Sequence, residues 1–322
     1  MLANDKIEAA AQTLSDHWRA GTKLETLDAS IRPRDRLDGY AIQAGLAKHS
    51  SRKLFGWKIA ATSEAGQKHI NVSGPLAGRI LSETVIADGG TAPMKGNEMR
   101  VGEAEFAFRF AHDLPPRANP YSVLEVLNAV GTLHPAIEIP DSRFADFVAA
   151  GEAQLIADNA CAHRFVLGEA TNADWRARDL IEERPVVTLR GERHIGHGKN
   201  VLGDPRVALA WCVNELRALG ITLRAGEIVT TGTCCTPLPI QAGDLFPRTV
   251  DNARSSATTS ALWTETFSAL QRCLSAEENA RSACHSILYS LFSACRREGG
   301  MAPSRPLMRL ACNLLFQSCG GR

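Results

Sequence analysis

The sequence predicts a mixed α/β protein in which strands dominate and helices come first. Residues 4–20 and 35–49 carry apolar side chains every three or four positions, which is typical of amphipathic helices. From Leu54 onward the chain consists of short apolar segments separated by Gly, Pro, Asn and Asp, each short enough to be a strand. We therefore expect an N-terminal helical segment, residues 1–50, followed by a strand-rich core, residues 51–246.

Each predicted element has its own signal. The apolar positions of the first helix are Ile7, Ala10, Ala11, Leu14 and Trp18, and those of the second are Leu37, Tyr40, Ala41 and Ala44. The clearest strand segments are LFGWKIA, EAEFAF, HPAIEIP, RFVLG, PVVTLRG and GEIVTTGT. A third helix, DPRVALAWCVNELRALG, lies among the strands, with Asp204 as its N-cap, Pro205 at its first position and Gly220 at its end.

Composition narrows the possible partners and the compartment. The 322 residues are 44% hydrophobic and carry a formal net charge of +1, so nothing favours nucleic acid or an anionic membrane surface. A small-molecule partner is the better expectation. No apolar run is long enough to span a membrane, and the nine cysteines form no C-x-x-C pair, so we expect a cytoplasmic protein with free thiols.

The C-terminal segment, residues 247–322, differs from the rest of the chain. It contains nine Arg, no Lys and five of the nine cysteines, with apolar residues at helical intervals in places. We interpret it as an atypical tail that is helical in part. A shifted reading frame and a genuine accessory extension both explain this composition.

The segment RVGEAEFAFRF places two carboxylates in an otherwise apolar strand. Successive side chains of a strand point to opposite faces, so one face carries Phe106 and Phe108 while the other carries Glu103 and Glu105. A solvated outer face would explain the two acids taken alone. A third acid, Glu138, lies in the equally apolar segment HPAIEIP. Three such carboxylates suit a hard divalent cation, Mg²⁺ or Mn²⁺, which prefers oxygen ligands.

An ordered set of segments makes the chain recognisable between about residues 35 and 245. The set comprises WKIAATSEAGQ, GPLAGRIL, EAEFAF, PAIEIPDSR, ADNA, NVLGDPRVALAW, RAGEIVTTGT and IQAGD. It resembles the 2-keto-4-pentenoate hydratase group of the fumarylacetoacetate hydrolase family, which also includes 4-oxalocrotonate decarboxylases. The resemblance implies a fumarylacetoacetate-hydrolase-like β-roll and a homo-oligomer.

The resemblance also implies site residues. It makes Glu103, Glu105 and Glu138 the ligands of Mg²⁺ or Mn²⁺, and Lys58 the active-site lysine. It places Thr233, in TTGT, beside the substrate carboxylate. Two positions depart from the group: Leu76 stands where an acid often follows the proline, and Cys161 stands where serine is common.

The implied activity is the addition of water to 2-hydroxy-2,4-dienoates in aromatic catabolism. The substrate would be a small 2-oxo or 2-enol acid. Decarboxylation of a 2-oxo-3-enedioate is the alternative within the group, and a non-catalytic or degenerate paralogue is the alternative outside it. Hydrolysis of an acylpyruvate is less well supported, because we find no histidine and acid arrangement for activating water.

Overall fold

The computed structural model describes residues 1–50 and 52–246. The predicted tail, residues 247–322, lies outside this part of the chain. The helices of the described residues are α1 (Asn4–Ala20), α2 (Arg36–Lys48), α3 (Glu64–His69), α4 (Val123–Ala129), α5 (Glu152–Ala157) and α6 (Pro205–Ala218). Within this described part, no helix has the length and apolar character needed to cross a bilayer.

The strands build one large mixed sheet and a small hairpin. In chain order they are β1 (Leu54–Ala60), β2 (Leu76–Leu81), β3 (Val85–Ile86), β4 (Val101–Phe110), β5 (Val130–Ile139), β6 (Arg164–Leu167), β7 (Val186–Leu189), β8 (Glu192–Ile195), β9 (Ile228–Thr233) and β10 (Leu238–Pro239). The large sheet has the order β2-β1-β9-β4-β5-β6-β3, with β10 added to β4, while β7 pairs with β8. The predicted strand-dominated α/β class is confirmed.

The three predicted helices form where their patterns indicated. Asp35 caps α2 by accepting a hydrogen bond from the backbone N–H of Asp38, and Asp204 caps α6 in the same way through Arg206. Pro205 occupies the first turn of α6. The apolar stripe of α1 is buried at Ala10, Ala11 and Leu14.

Strand β4 lies in the middle of the sheet and separates two apolar layers. Its Phe106, Phe108 and Phe110 are almost fully buried in the main core, as the alternation predicted. The opposite face carries Ala107, which packs in a separate small cluster. Glu105 on this face is fully buried as well, while Glu103 and Arg109 are partly exposed, so the solvated outer face considered from the sequence is wrong for the middle of this strand.

Three short helices and the strands β2, β3, β8 and β10 were not predicted from the sequence. Helix α4 begins with a reciprocal capping box between Ser122 and Glu125, a signal that is readable in the sequence as S-x-x-E. Strand β2 contains Gly78 and the charged Arg79, which interrupt its apolar pattern. Burial inside the fold, rather than local propensity, stabilises it as a strand.

Candidate metal centre

Strand pairing brings the three predicted glutamates together. Strands β4 and β5 are antiparallel, and their register places Glu103 directly opposite Glu138. Glu105 follows two residues later on the same face of β4. One carboxylate oxygen of each glutamate lies within 4.8 Å of the other two. Glu105 is fully buried and Glu138 is 2% exposed, while Glu103 is half-buried, so the cluster lies in the interior with one side partly open.

Strand β9 fixes one oxygen of Glu105. The Thr230 hydroxyl and the backbone N–H of Gly232, at 3.0 Å, both donate to Oε2. The backbone of Gly232 has φ of +90°, and a Cβ at this position would lie 2.2 Å from Oγ1 of Thr62. Only glycine fits here, and its backbone then donates the hydrogen bond that orients the carboxylate.

Lys58 lies on β1 with its ammonium beside the cluster. Its Nζ is 3.1 Å from Oε1 of Glu138 and donates to the carbonyl oxygen of Ala160 at 3.0 Å. The residue is 2% exposed. An ammonium group has three N–H donors, so these two contacts leave one donor for another acceptor.

The carbonyl of Ala160 belongs to an unusual turn. Asn159, Ala160 and Cys161 all have left-handed backbones, with φ of 59°, 51° and 59°. The Asn159 side chain holds the turn to β2, because its Oδ1 accepts from the N–H of Arg79 at 2.6 Å and its Nδ2 donates to the Arg79 carbonyl at 2.8 Å. The strained turn is thus fastened next to Lys58.

Thr233 lies opposite Glu105 in the register of β4 and β9. Its hydroxyl donates to the carbonyl oxygen of Cys235 at 2.7 Å. A hydroxyl has a single proton, so Thr233 would have to rotate away from Cys235 before it could donate to a ligand carboxylate. The structure places Thr233 near the cluster, but its hydroxyl proton is used in the hydrogen bond to the Cys235 carbonyl.

Burial and the neighbouring charges both shift the pKa of the groups in the cluster. Burial, together with repulsion from Glu138, raises the pKa of Glu103 to about 7. Burial and repulsion from the other two glutamates raise the pKa of Glu105 well above its usual range. Burial would lower the pKa of Lys58, but attraction from Glu138, Glu103 and Glu105 outweighs it and raises that pKa.

These groups fit a hard divalent cation. Oε1 of Glu105 and Oε2 of Glu138 are buried without a hydrogen-bond partner in the described part of the chain. Unpartnered buried carboxylate oxygens are costly, and a cation bound between them would satisfy both. The donors are all oxygens, which Mg²⁺, Mn²⁺ and Ca²⁺ prefer.

The two departures from the family pattern are both located in the described part of the chain. Leu76 is 1% exposed on β2 and belongs to the apolar core. Cys161 ends the left-handed turn, and burial raises the pKa of its thiol to about 12, which keeps it protonated. Together with Cys212, Cys234 and Cys235 it is a free thiol, as predicted for the described cysteines.

Several groups at the cluster carry no readable sequence signal. The Ala160 carbonyl, the Gly232 N–H and the Thr230 hydroxyl were not predicted as site groups. Backbone groups act through conformation rather than residue type, so only knowledge of the turn could have found the first two. Thr230 lies in the segment TTGT of β9, and this segment also fits an ordinary buried strand.

Comparison with known proteins gives a consistent set of relatives. No protein-family model matches the chain. A 2-keto-4-pentenoate hydratase of Paraburkholderia xenovorans (strain LB400) is 32% identical over 247 residues, covering 74% of this chain and 89% of the relative. A 2-hydroxyhexa-2,4-dienoate hydratase of Comamonas testosteroni is 30% identical over 251 residues, covering 76% of this chain and 94% of the relative.

The fold is similar to that of a solved enzyme. The chain matches 4-oxalocrotonate decarboxylase from Pseudomonas putida G7, complexed with magnesium and adipate, with a TM-score of 0.69 and 24% identity. The match covers 76% of this chain and 93% of that one. This likeness confirms the fold that the sequence resemblance implied.

Proposed function

This chain belongs to the 2-keto-4-pentenoate hydratase family, and we propose that it is a metal-dependent hydro-lyase that adds water to 2-hydroxy-2,4-dienoates. The observation that carries the proposal is the cluster of half-buried Glu103 with buried Glu105 and Glu138, beside Lys58. Relatives at this level of identity are named as hydratases of 2-keto-4-pentenoate and 2-hydroxyhexa-2,4-dienoate. The proposed reaction belongs to aromatic catabolism.

The three glutamates are proposed to hold Mg²⁺ or Mn²⁺. The two unpartnered oxygens, Oε1 of Glu105 and Oε2 of Glu138, support this assignment. The bound cation would supply a Lewis acid for the carboxylate and 2-oxygen of the substrate. The protein's part is to hold the three carboxylates in place, through the β4 and β5 register and the two donors to Glu105.

Lys58 is proposed as the catalytic residue. Three carboxylates and a divalent cation sum to a charge of −1, so an anionic substrate would be repelled without the positive charge of Lys58. The remaining N–H of Lys58 can donate to the 2-oxygen as negative charge develops there. Glu138 and the Ala160 carbonyl restrict the position of its ammonium group.

Thr233 is proposed to bind the substrate carboxylate. Its place opposite Glu105 in the sheet supports this role. Binding would require the hydroxyl to exchange its hydrogen bond to Cys235 for one to the substrate. The cost of that exchange is small, because one hydrogen bond replaces another.

The remaining expectations are part of the same proposal. We propose a cytoplasmic homo-oligomer that acts on a small molecule and has no nucleic-acid or membrane partner. Residues 1–50 form its helical segment and residues 51–246 its catalytic core, with residues 247–322 as an atypical tail.

Ultraviolet absorbance tests the proposed reaction. Purified protein is mixed with 2-hydroxypenta-2,4-dienoate in the presence of Mg²⁺, Mn²⁺ or a chelator, and the product is identified by mass. We expect metal-dependent loss of the diene band with a 4-hydroxy-2-oxo acid as the product.

A carboxylated analogue assayed for CO₂ release separates the alternatives. Release of CO₂ from the analogue without hydration of the dienoate would replace the hydratase by a decarboxylase. Folded protein that transforms neither compound would support the degenerate paralogue instead.

A further inference from the structure

A cavity lies between the N-terminal helices and strand β2. Its volume is about 220 Å³. The walls are largely apolar, with Leu14 and Trp18 from α1, Leu46 from α2 and Leu81 from β2. Three arginines also line it: Arg19, Arg79 and Arg143. The cavity therefore combines apolar walls with three guanidinium groups, of which Arg19 and Arg143 are paired with Asp16 and Asp158.

Arg79 is the most unusual of these residues. It is 8% exposed, and its guanidinium stacks over the Trp57 ring with 4.6 Å between Cζ and the ring centroid. One nitrogen, Nη1, donates to Oε1 of Gln43. Among the described residues, no carboxylate forms an ion pair with it. Burial lowers the pKa of Arg79 to about 10, yet the group stays charged at neutral pH.

Within the part of the chain that the structure describes, the charge of Arg143 is compensated by a carboxylate, unlike that of Arg79. Arg143 is 5% exposed, is paired with Asp158 and lies over the Trp18 ring at 4.7 Å. His49 also lines the cavity, and its Nε2 is buried with no hydrogen-bond partner in the described ranges 1–50 and 52–246. The one acid that lines it, Glu83, is exposed and accepts a hydrogen bond from Ser50.

We propose that this cavity binds a small organic carboxylate with an apolar body. The guanidinium of Arg79 offers paired donors that match a carboxylate, and His49 offers a ring nitrogen for a further hydrogen bond. Leucine and tryptophan side chains surround the space that the body of the ligand would fill. A bound carboxylate would compensate a buried charge that the described residues leave unpaired.

This site is separate from the glutamate cluster. In the register of β1 and β2, Lys58 pairs with Gly78 while Trp57 pairs with Arg79. Neighbouring residues of a strand point to opposite faces, so Arg79 and Lys58 point to opposite faces of the sheet. A ligand in the cavity would thus not contact the cation proposed at the glutamates.

Fluorine NMR of 4-fluorobenzoate tests the proposal on the full-length protein. The matched variants are Arg79→Met, which removes the charge, and Ser15→Leu, which fills the cavity from α1 without changing any charge. Lys68→Met, on the exposed surface of α3, is the control. We expect saturable binding to the parent protein and to the control, and at least tenfold weaker binding to Arg79→Met and Ser15→Leu. Circular dichroism establishes that each variant is folded.

Two further arms identify the ligand chemistry and its location. The affinity for 4-fluorobenzoate should be the same in Mg²⁺ and in chelator, and inorganic phosphate should compete poorly because it has no apolar body. Absence of saturable binding, or unchanged binding to the folded cavity variants, would refute the proposal. Dependence of the affinity on Mg²⁺ would assign the ligand to the glutamates instead. Equal competition by phosphate would refute the claim that the cavity selects a ligand with an apolar body.

Discussion

At the glutamate cluster, the like charges of the three carboxylates make the arrangement of side chains energetically costly. Lys58 neutralises part of the charge of three glutamates that would otherwise repel each other in the protein interior. The ammonium is itself held by one carboxylate and one backbone carbonyl. Its removal therefore changes both the charge of the centre and the donor available to a substrate.

Replacing Lys58 by Met should reduce turnover of the dienoate by a factor of about 10² to 10⁴, the usual contribution of a positioned proton donor. The divalent cation should still bind, because all three carboxylates remain. Steady-state absorbance kinetics measure the loss, with Lys68→Met as an exposed lysine control. Turnover within twofold of the parent protein would exclude a catalytic role for Lys58.

His163 should make the protein sensitive to mild acid. Its ring packs edge-on against Trp18, with 4.8 Å between centroids. Burial, then repulsion from Arg164, Arg143 and Lys23, lowers the pKa of His163 to about 3. The unfolded chain takes up this proton near pH 6.5, so stability is full above that pH and falls as pH decreases toward 3.

Between pH 7 and pH 5 the parent protein should lose up to about 2 kcal/mol of unfolding free energy through this residue. His163→Phe keeps an aromatic ring and should lose less over the same interval. Urea unfolding at both pH values measures the difference, with His112→Phe as the control at an exposed histidine. Equal losses in His163→Phe and the parent would show that His163 does not titrate in this way.

The three acids were predictable from sequence because each interrupts an apolar strand with a period of two. Their mutual distance was not predictable, since it depends on the register of β4 and β5. The partners of Lys58 and Glu105 were hidden for another reason. Ala160 acts through its carbonyl and Gly232 through its N–H, and neither function depends on a side chain.

Strand β2 and the left-handed turn Asn159–Cys161 are joined by hydrogen bonds and lie beside Lys58. Asn159 bonds to both backbone groups of Arg79, so it extends the sheet beyond β2 through a side chain. Gly78 allows the turn to approach, because a Cβ there would lie 2.4 Å from the Asn159 carbonyl oxygen and 3.0 Å from Cδ of Lys58. The same glycine therefore makes room for the turn and for the lysine.

Gly78→Ala should lower the unfolding free energy by about 1 to 3 kcal/mol, as overpacking of a core does. Turnover should fall as well, because the added methyl group presses on Lys58. Gly74→Ala is the matched control, since no atom lies within 4 Å of the Cβ it would add. Denaturant unfolding and the dienoate assay together measure both effects. Equal unfolding free energies and equal turnover in Gly78→Ala and Gly74→Ala would contradict the close packing at Gly78.

Helices and strands differed in how well the sequence predicted them. The predicted helices α1, α2 and α6 are long enough to show their period, and each has a signal at one end at least: Gly21 after α1, Asp35 before α2 and Asp204 before α6. Short helices such as α5 bury most of their few residues and show no amphipathic pattern. Their positions follow from packing, which a single sequence does not reveal.

The N-terminal helices are joined to distant parts of the chain. Arg36 of α2 pairs with Glu152 at 2.7 Å and with Glu215 of α6 at 2.8 Å. Gln43 of α2 donates to the carbonyl of Ala77 in β2 at 2.8 Å. The predicted helical segment thus supports the strand that carries Gly78, and it closes one side of the cavity that Arg79 lines.

Calorimetric titration of Mn²⁺ into chelator-treated protein tests the glutamate centre most directly. We expect one ion per chain in the parent protein and in Glu98→Gln, which changes an exposed acid on the chain segment before β4. Glu105→Gln should bind at least tenfold more weakly and should lose dienoate turnover in parallel. Unchanged Mn²⁺ affinity together with unchanged turnover in Glu105→Gln would contradict the assignment of the three glutamates as the metal centre of a hydratase.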